Sequence, residues 1–280
     1  MTNDSPGAAY RDALRAMWNE WTQINAAGPS EYYDIEAFFA GHLALDAIER
    51  EGVGEVAGKR LLHSQCHFGL TTLSWARLGA EVTGVDFSDH AIALAKTVSE
   101  QAGLPANFVC ADVLRLPDAL PARQQFDIVF TSYGVLTWID DLTVWARNLA
   151  DCLKPNGILF LAEEHPVANM YEDTEDGRGI LMTRPYFSVS EPMRFEVQGS
   201  YANPSAQTEQ KEGYAWAHPL AAVFNALLAA GLVIERFAEY DHCAWPKFRA
   251  MRKEAPSVWR LVTEGPRLPL MYSIRARKPG

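Results

Sequence analysis

Apolar and polar positions along this chain fall into three regimes. From Tyr10 to about Trp21, Leu14, Met17, Trp18 and Trp21 recur at helical spacing and form one side of an amphipathic helix. A break at Ala27-Gly28-Pro29-Ser30 follows, and a second helix is expected from about Tyr32 to Glu51 with Ser30 as its cap. The middle of the chain then alternates. Apolar runs at 59–65, 81–87, 107–112, 126–132 and 157–163 read as strands, and helical patterns occupy 70–78, 89–102 and 138–153 between them. This rhythm builds a parallel sheet covered by helices, the doubly wound α/β class. Pro155-Asn156-Gly157 punctuates the end of a helix and launches the fifth strand.

After Pro166 the rhythm breaks. Residues 166–216 carry short alternating runs such as Arg194-Phe195-Glu196-Val197-Gln198, interrupted by Pro and Gly. So long a segment is expected to be an inserted cap with small strands rather than a bare loop. A helix at 218–230, a strand at 232–240, a Pro- and Trp-containing stretch and a last strand at 269–277 complete the pattern. With no helical pattern between them, the last two strands are expected as a hairpin-like pair at the sheet edge, giving seven strands in all.

Length and charge narrow the function classes. The 280 residues suit one large domain or one domain with a cap. A formal charge of −10 without Lys/Arg clusters argues against a nucleic-acid partner and tolerates a cationic ligand. Cys66, Cys110, Cys152 and Cys243 are scattered, the usage of a reducing compartment. No secretory signal opens the chain and no apolar run is long enough for a membrane span, so a cytoplasmic protein with no membrane partner is expected.

The candidate chemistry starts at His63-Ser64-Gln65-Cys66-His67-Phe68-Gly69, between the apolar Leu61-Leu62 and an amphipathic segment. About twenty residues later comes Val82-Thr83-Gly84-Val85-Asp86. A strand, a tight turn, a helix and a second strand ending in an acid make a nucleotide-binding half-fold. The turn admits main-chain N–H groups to a ligand and the acid accepts ribose hydroxyls.

These residues, with Thr131-Ser132-Tyr133-Gly134 after the fourth strand and His165-Pro166 after the fifth, resemble class I S-adenosylmethionine-dependent methyltransferases from about Gly58 onward. The nearest likeness is to bacterial small-molecule enzymes with an LHxQCHFG turn. The resemblance implies a Rossmann-like methyltransferase fold divided into an N-terminal helical lid (1–57), a cofactor-binding core (58–165), an inserted cap on the substrate side (166–216) and the C-terminal part of the core sheet (217–280). It implies S-adenosyl-L-methionine as cofactor, with S-adenosyl-L-homocysteine as product, and a small-molecule methyl acceptor. A homodimer is compatible with it. In the wider family the turn reads acid-x-Gly-x-Gly-x-Gly. Here His63 takes the acid's place and only Gly69 remains of the glycines.

The same resemblance assigns the cofactor side. Gln65, His67 and Gly69 line the turn, with the Gln65 amide meeting the methionine end of the cofactor or, alternatively, capping the following helix. Asp86 matches the ribose acid, though an N-cap at Asp86 or Ser88 would also explain an acid there. Phe87 lies on the adenine or belongs to the core. Asp112 and Val113 read adenine, or Asp112 caps a turn. Ser132 lies near the transferred methyl.

On the acceptor side, methyl transfer from a sulfonium is an in-line displacement in which alignment dominates. A general base helps where the nucleophile carries a proton. His165 is the first candidate base, with Glu163 and Tyr33 as further catalytic candidates. Tyr32, Tyr133, Glu164, Tyr201 and His218 are expected on the substrate side, Tyr32 and Tyr33 as a lid. No zinc-like ligand spacing occurs and no metal is expected. The insert's Tyr186, Phe187, Met193, Phe195, Tyr201, Tyr214 and Trp216 are expected to wall a pocket for a flat, aromatic or heterocyclic acceptor, or to fill a miniature core of the cap. Two other classes compete: a degenerate, non-catalytic cofactor-binding protein, suggested by the lost glycines, and an NAD-dependent dehydrogenase, disfavoured because no G-x-G-x-x-G follows the first strand.

Overall fold

The structure is a computed structural model describing residues 6–27, 32–120, 125–187, 191–263 and 265–280. It opens with α1 (Pro6–Ala26), whose Leu14, Met17 and Trp21 are buried at spacings of three and four. The single helix expected over 32–51 is two: α2 (Ile35–Phe39) and α3 (Ala47–Val53). Asp34 caps α2 by accepting from the Ala37 N–H, and Asp46 with Glu49 forms a capping box on α3. Each aspartate opens a new helix and ends the continuity that the apolar spacing implied. The expected cap at Ser30 lies outside the described residues.

The alternating core follows as β1 (Arg60–Ser64), α4 (Leu70–Arg77), β2 (Glu81–Asp86), α5 (Asp89–Ala102), β3 (Asn107–Cys110), α6 (Leu116–Ala119), β4 (Phe126–Ser132), α7 (Leu142–Cys152) and β5 (Leu153–Glu164). The insert holds two small hairpins, β6 (Tyr171–Asp173) with β7 (Ile180–Met182), and β8 (Met193–Glu196) with β9 (Glu212–Ala215). Then come α8 (Leu220–Ala229), β10 (Val233–Tyr240), a hairpin of β11 (Met251–Ala255) and β12 (Val258–Leu261), and β13 (Met271–Arg277). The Pro- and Trp-containing stretch holds the hairpin β11–β12, which the sequence pattern did not show. Its Arg252, Lys253 and Glu254 are exposed, so no apolar alternation marks it in the sequence.

The central sheet has seven strands in the order β10-β13-β5-β4-β1-β2-β3. The pairs among β1 to β5 are parallel, and β13 runs antiparallel to both β5 and β10. The closing pair is therefore the edge hairpin that the sequence suggested. Strand periodicity builds the two faces: Ile128, Phe130, Ile158 and Phe160 bury on one side with Trp75, while Val129, Leu159 and Leu161 bury on the other with Trp145 and Leu149. Each such side chain contributes about 1.5–3 kcal/mol by leaving water. Chain order reverses between β1 and β4, so a crevice opens at the carboxyl ends there.

Lid and insert make one cover over that edge. Val197 of the insert packs with Leu14, Met17 and Trp21 of α1. The Glu20 carboxylate accepts from the Glu209 and Gln210 N–H groups at 2.8 and 2.9 Å. On its other flank α1 reaches the core, where Ser88 donates to Asn19 at 2.6 Å and Arg11 pairs with Asp140 at 3.0 Å.

Candidate functional site

The turn after β1 keeps the backbone of a glycine turn without its glycines. Gln65 and His67 have φ of 60° and 50°, the left-handed region that L side chains rarely adopt. Such positions cost on the order of 1–3 kcal/mol each and cluster at functional sites. Gly69 (φ 82°) cannot be replaced cheaply, since a Cβ there would stand 2.8 Å from the Phe108 ring. Asp86, at the end of β2, is buried and faces this turn. It accepts the His67 N–H at 2.8 Å and the Ser88 N–H at 2.9 Å, and burial pushes its pKa up to about 6. Ser88, not Asp86, caps α5.

Above the turn lies a layer of rings. Trp18 and Tyr33 each stand 5.3 Å from the His67 ring, and Trp21 meets Tyr201 at 5.6 Å. The Tyr33 and Tyr201 hydroxyls are hydrogen bonded to one another, and the Asn25 amide donates to Tyr201 at 3.0 Å. Tyr32 packs on the same Tyr201 ring. Among the described residues several buried polar atoms here have no partner: Trp18 Nε1, Trp21 Nε1, Asn25 Oδ1 and both ring nitrogens of His67. An orphaned buried group costs about 1–3 kcal/mol. Burial also holds the His67 pKa down at about 3, so the ring is neutral.

Beside this layer a cavity of about 560 Å³ opens between the sheet edge and the cover. Gly134, Glu163 and Glu164 contribute its sheet side and Trp21 and Trp138 its join to the ring layer. Of the insert's aromatic and Met residues, Tyr186, Met193, Phe195, Tyr201 and Trp216 line it. Phe187 does not, being 74% exposed, and Tyr214 packs on Tyr10 instead. His218 also lines the cavity, its Nε2 donating to the Ile139 carbonyl at 2.8 Å. A second main-chain hydrogen bond ties the ring to Leu136, and burial lowers its pKa, so the ring is neutral near pH 7. Lys247 enters from the connection before β11 and donates to Glu164 Oε2 and Asn169 Oδ1, each at 2.8 Å.

Several sequence expectations are corrected by this geometry. His165 does not line the cavity: its Nε2 pairs with Glu239 at 3.0 Å and its Nδ1 accepts from the Val167 N–H at 3.1 Å. Both ring nitrogens hold the exit of β5, and neither is offered to an acceptor. Glu163 reaches the cavity, yet its carboxylate accepts four main-chain N–H groups, from Gly134, Val135, Leu136 and Glu164, at 2.6–3.0 Å. Burial nevertheless pushes its pKa up to about 7. With four N–H groups converging on it, the carboxylate shapes the loop after β4.

The Gln65 amide is likewise committed, donating to the Val135 carbonyl at 3.0 Å and accepting from Trp145 Nε1 at 3.3 Å. It does not cap α4. Ser132 and Tyr133 turn away from the cavity towards α3: Ser132 donates to Glu49 at 2.8 Å and Tyr133 to Asp46 at 2.6 Å. Burial pushes the Tyr33 pKa up to about 12, which keeps its hydroxyl protonated and unsuited to a base.

The remaining positions fall near the turn. Phe87 packs beside α1 with Trp21, and Asp112 accepts from the Leu114 N–H at 2.9 Å while its other oxygen lies 3.7 Å from Arg11. Val113 is buried in the core. Among the described residues no group of three His, Cys, Asp or Glu side chains could hold a metal ion. Asn25, Trp138 and Lys247 escaped the sequence reading. Asn25 could have been found, because positions 18, 21 and 25 share the face of α1 already marked by its tryptophans; nothing local marks Lys247.

Comparisons with known proteins agree with the fold. Residues 62–161 match the family model described as a methyltransferase domain. A ubiquinone biosynthesis O-methyltransferase of Rhodopseudomonas palustris is 34% identical over 152 residues, 53% of this chain and 57% of that protein. Its counterpart in Coxiella burnetii is 38% identical over 106 residues, 38% of this chain and 43% of that one. The chain thus spans about half the length of the curated relatives it matches. A solved S-adenosylmethionine-dependent methyltransferase from Mesorhizobium loti superposes with a TM-score of 0.57 at 19% identity, covering 90% of this chain and 99% of that one. The seven-stranded sheet is the Rossmann-like methyltransferase fold.

Proposed function

We propose that this chain transfers a methyl group from S-adenosyl-L-methionine to a small aromatic or heterocyclic acceptor held in the cavity between the sheet edge and the insert. The observation that carries the reading is the placement of that cavity. It abuts both the carboxyl ends of β4 and β5, at Gly134 and Glu163, and the ring layer above the Asp86 turn, through Trp21 and Tyr201. Donor and acceptor sites are thereby side by side, as a direct displacement requires.

The residues present fit the cofactor. The Asp86 carboxylate stands at the end of β2 as an acceptor for ribose hydroxyls, and the orphaned polar atoms in the ring layer await partners that a polar cofactor supplies. Aromatic faces suit a sulfonium cation and a purine. Bound there, the cofactor supplies an electrophilic methyl on a good leaving group. Asp112 and Val113 take the adenine edge, with Arg11 moving off Asp112 as they do so. Tyr33, Trp18 and Tyr201 lie directly over the turn, so the cover must open for the cofactor to enter and reclose to exclude water.

For the acceptor, Phe195 and Trp216 supply flat walls and Lys247, steadied by Glu164 and Asn169, supplies a positive group for an oxygen substituent. The curated relatives are O-methyltransferases by name, which favours an oxygen nucleophile. A hydroxyl acceptor must lose its proton, and His218, on the cavity wall, takes that role in place of His165. The test is incubation of purified protein with methyl-labelled cofactor and a panel of phenols, amines, indoles and carboxylic acids, read by mass spectrometry. Label on a phenolic oxygen is expected; label on none of the panel with tight cofactor binding would favour a non-catalytic binding protein.

A further inference from the structure

The polar atoms without partners are not scattered. Of the eight such buried side-chain atoms among the described residues, five belong to Trp18, Trp21, Asn25 and His67, and the rest to His63, Ser64 and Trp75. Residues 18, 21 and 25 are spaced by three and four, so they share one face of α1, and that face covers the first turn. Asn25 is fully buried and Trp21 nearly so. Trp18, Trp21 and Asn25 also gather around one residue, Tyr201, with the two indole rings 6.2 and 5.6 Å from its ring and the Asn25 amide bonded to its hydroxyl.

The chemistry of the set is specific. Two indole N–H groups can only donate. The Asn25 oxygen accepts, since its Nδ2 is already bonded to Tyr201; turning the amide over would still leave one polar atom without a partner. The neutral His67 ring offers one donor and one acceptor. Two donors beside an acceptor suit a group carrying both an anion and an ammonium.

The first turn itself offers little for such a group. Its Cys66 and Gly69 N–H groups donate to the Val85 and Cys66 carbonyls, its His67 N–H donates to Asp86, and the Gln65 amide already bonds Val135 and Trp145. The Glu163 carboxylate is filled by four main-chain N–H groups.

We propose that α1 takes over the work of the missing glycines and binds the α-amino-acid end of S-adenosylmethionine, with Trp18 and Trp21 donating to its carboxylate and Asn25 accepting from its ammonium. This rests on the methyltransferase reading and adds to it a binding role for residues outside the matched domain. The lid is then part of the cofactor site, and cofactor capture and closure of the cover are one event. It also explains how a turn bearing Gln65 and His67 can serve a cofactor whose usual cradle is main chain.

The experiment is calorimetric titration with S-adenosylhomocysteine and with 5′-methylthioadenosine, which shares the nucleoside and sulfur but lacks the amino-acid end. Wild-type protein is expected to bind S-adenosylhomocysteine more tightly by at least about tenfold. Trp21→Phe, Trp18→Phe and Asn25→Leu should each raise its Kd about tenfold and leave that of methylthioadenosine within about twofold. Because a substitution in α1 can also disturb folding, the indole N–H resonances of ¹⁵N-labelled wild-type protein give a second readout. Trp18 and Trp21 should shift downfield with S-adenosylhomocysteine and not with methylthioadenosine. Equal affinity for the two ligands, or equal loss of both in the variants, overturns the assignment to α1 while leaving the nucleoside site standing. Failure of wild-type protein to bind either ligand removes the methyltransferase reading with it.

Discussion

Asp86 and His67 are joined by a 2.8 Å hydrogen bond from the His67 main-chain N–H to the Asp86 carboxylate, which fixes the end of β2 against the turn after β1. The bond explains how a turn carrying two side chains at positive φ is held in place.

Burial sets the Asp86 pKa at about 6, so its ligand binding should depend on pH. Ribose hydroxyls need the ionised carboxylate as acceptor. Affinity for S-adenosylhomocysteine should therefore be flat above about pH 7 and fall as pH drops through 6, about tenfold by pH 5. Folding has the opposite sign. The folded state holds this proton more tightly than the unfolded chain, so the Asp86 contribution to stability is present below about pH 4 and lost as pH rises through 6. Asp86→Asn should abolish both dependences and weaken binding at pH 7.5 by about 1.5–3 kcal/mol, measured by calorimetry and thermal melts against wild type.

Glu163→Gln should destabilise the fold. Glutamine brings one acceptor oxygen and two donors to a place where four main-chain N–H groups converge, so some of those groups lose their partners. A loss of about 2–4 kcal/mol is expected from urea denaturation. A variant as stable as wild type would mean that the loop after β4 does not depend on this carboxylate.

The two histidines should separate cleanly. His218→Gln is expected to lower kcat by about 10²-fold or more, remove the acidic limb of the pH–rate profile and leave the S-adenosylhomocysteine Kd unchanged. His165→Ala should keep the pH profile and lower the melting temperature, since its ring bridges Glu239 and Val167 outside the cavity. The reverse outcome would return the base to His165.

Substitutions in the insert should discriminate wall from surface. Trp216→Ala and Phe195→Ala should raise the KM for the acceptor about tenfold or more by removing buried apolar contact, with cofactor affinity unaffected. Phe187→Ala should change neither, because that ring is 74% exposed and off the cavity.

The parallel core was legible because periodicity alone fixes it. β1 to β5 and the helices between them alternate in apolar pattern, and Asp86 is marked by its place after the second strand. The break between α2 and α3 was hidden by a continuous apolar spacing that capping by Asp34 and Asp46 overrides. The roles of Gln65 and His165 depended on partners 70 or more residues away, Val135, Trp145 and Glu239, which no local pattern announces. Lys247 reaches the cavity from a connection whose hairpin carries charges on its open face. Asn25 was within reach, since it continues the helical face that Trp18 and Trp21 begin.

The most direct measurement of the central claim is a crystal structure grown with S-adenosylhomocysteine. The account predicts the nucleoside at the carboxyl ends of β1 and β2, its ribose hydroxyls on Asp86 and its sulfur facing the cavity beside Gly134. A nucleoside bound elsewhere, or a ribose without contact to Asp86, would contradict it.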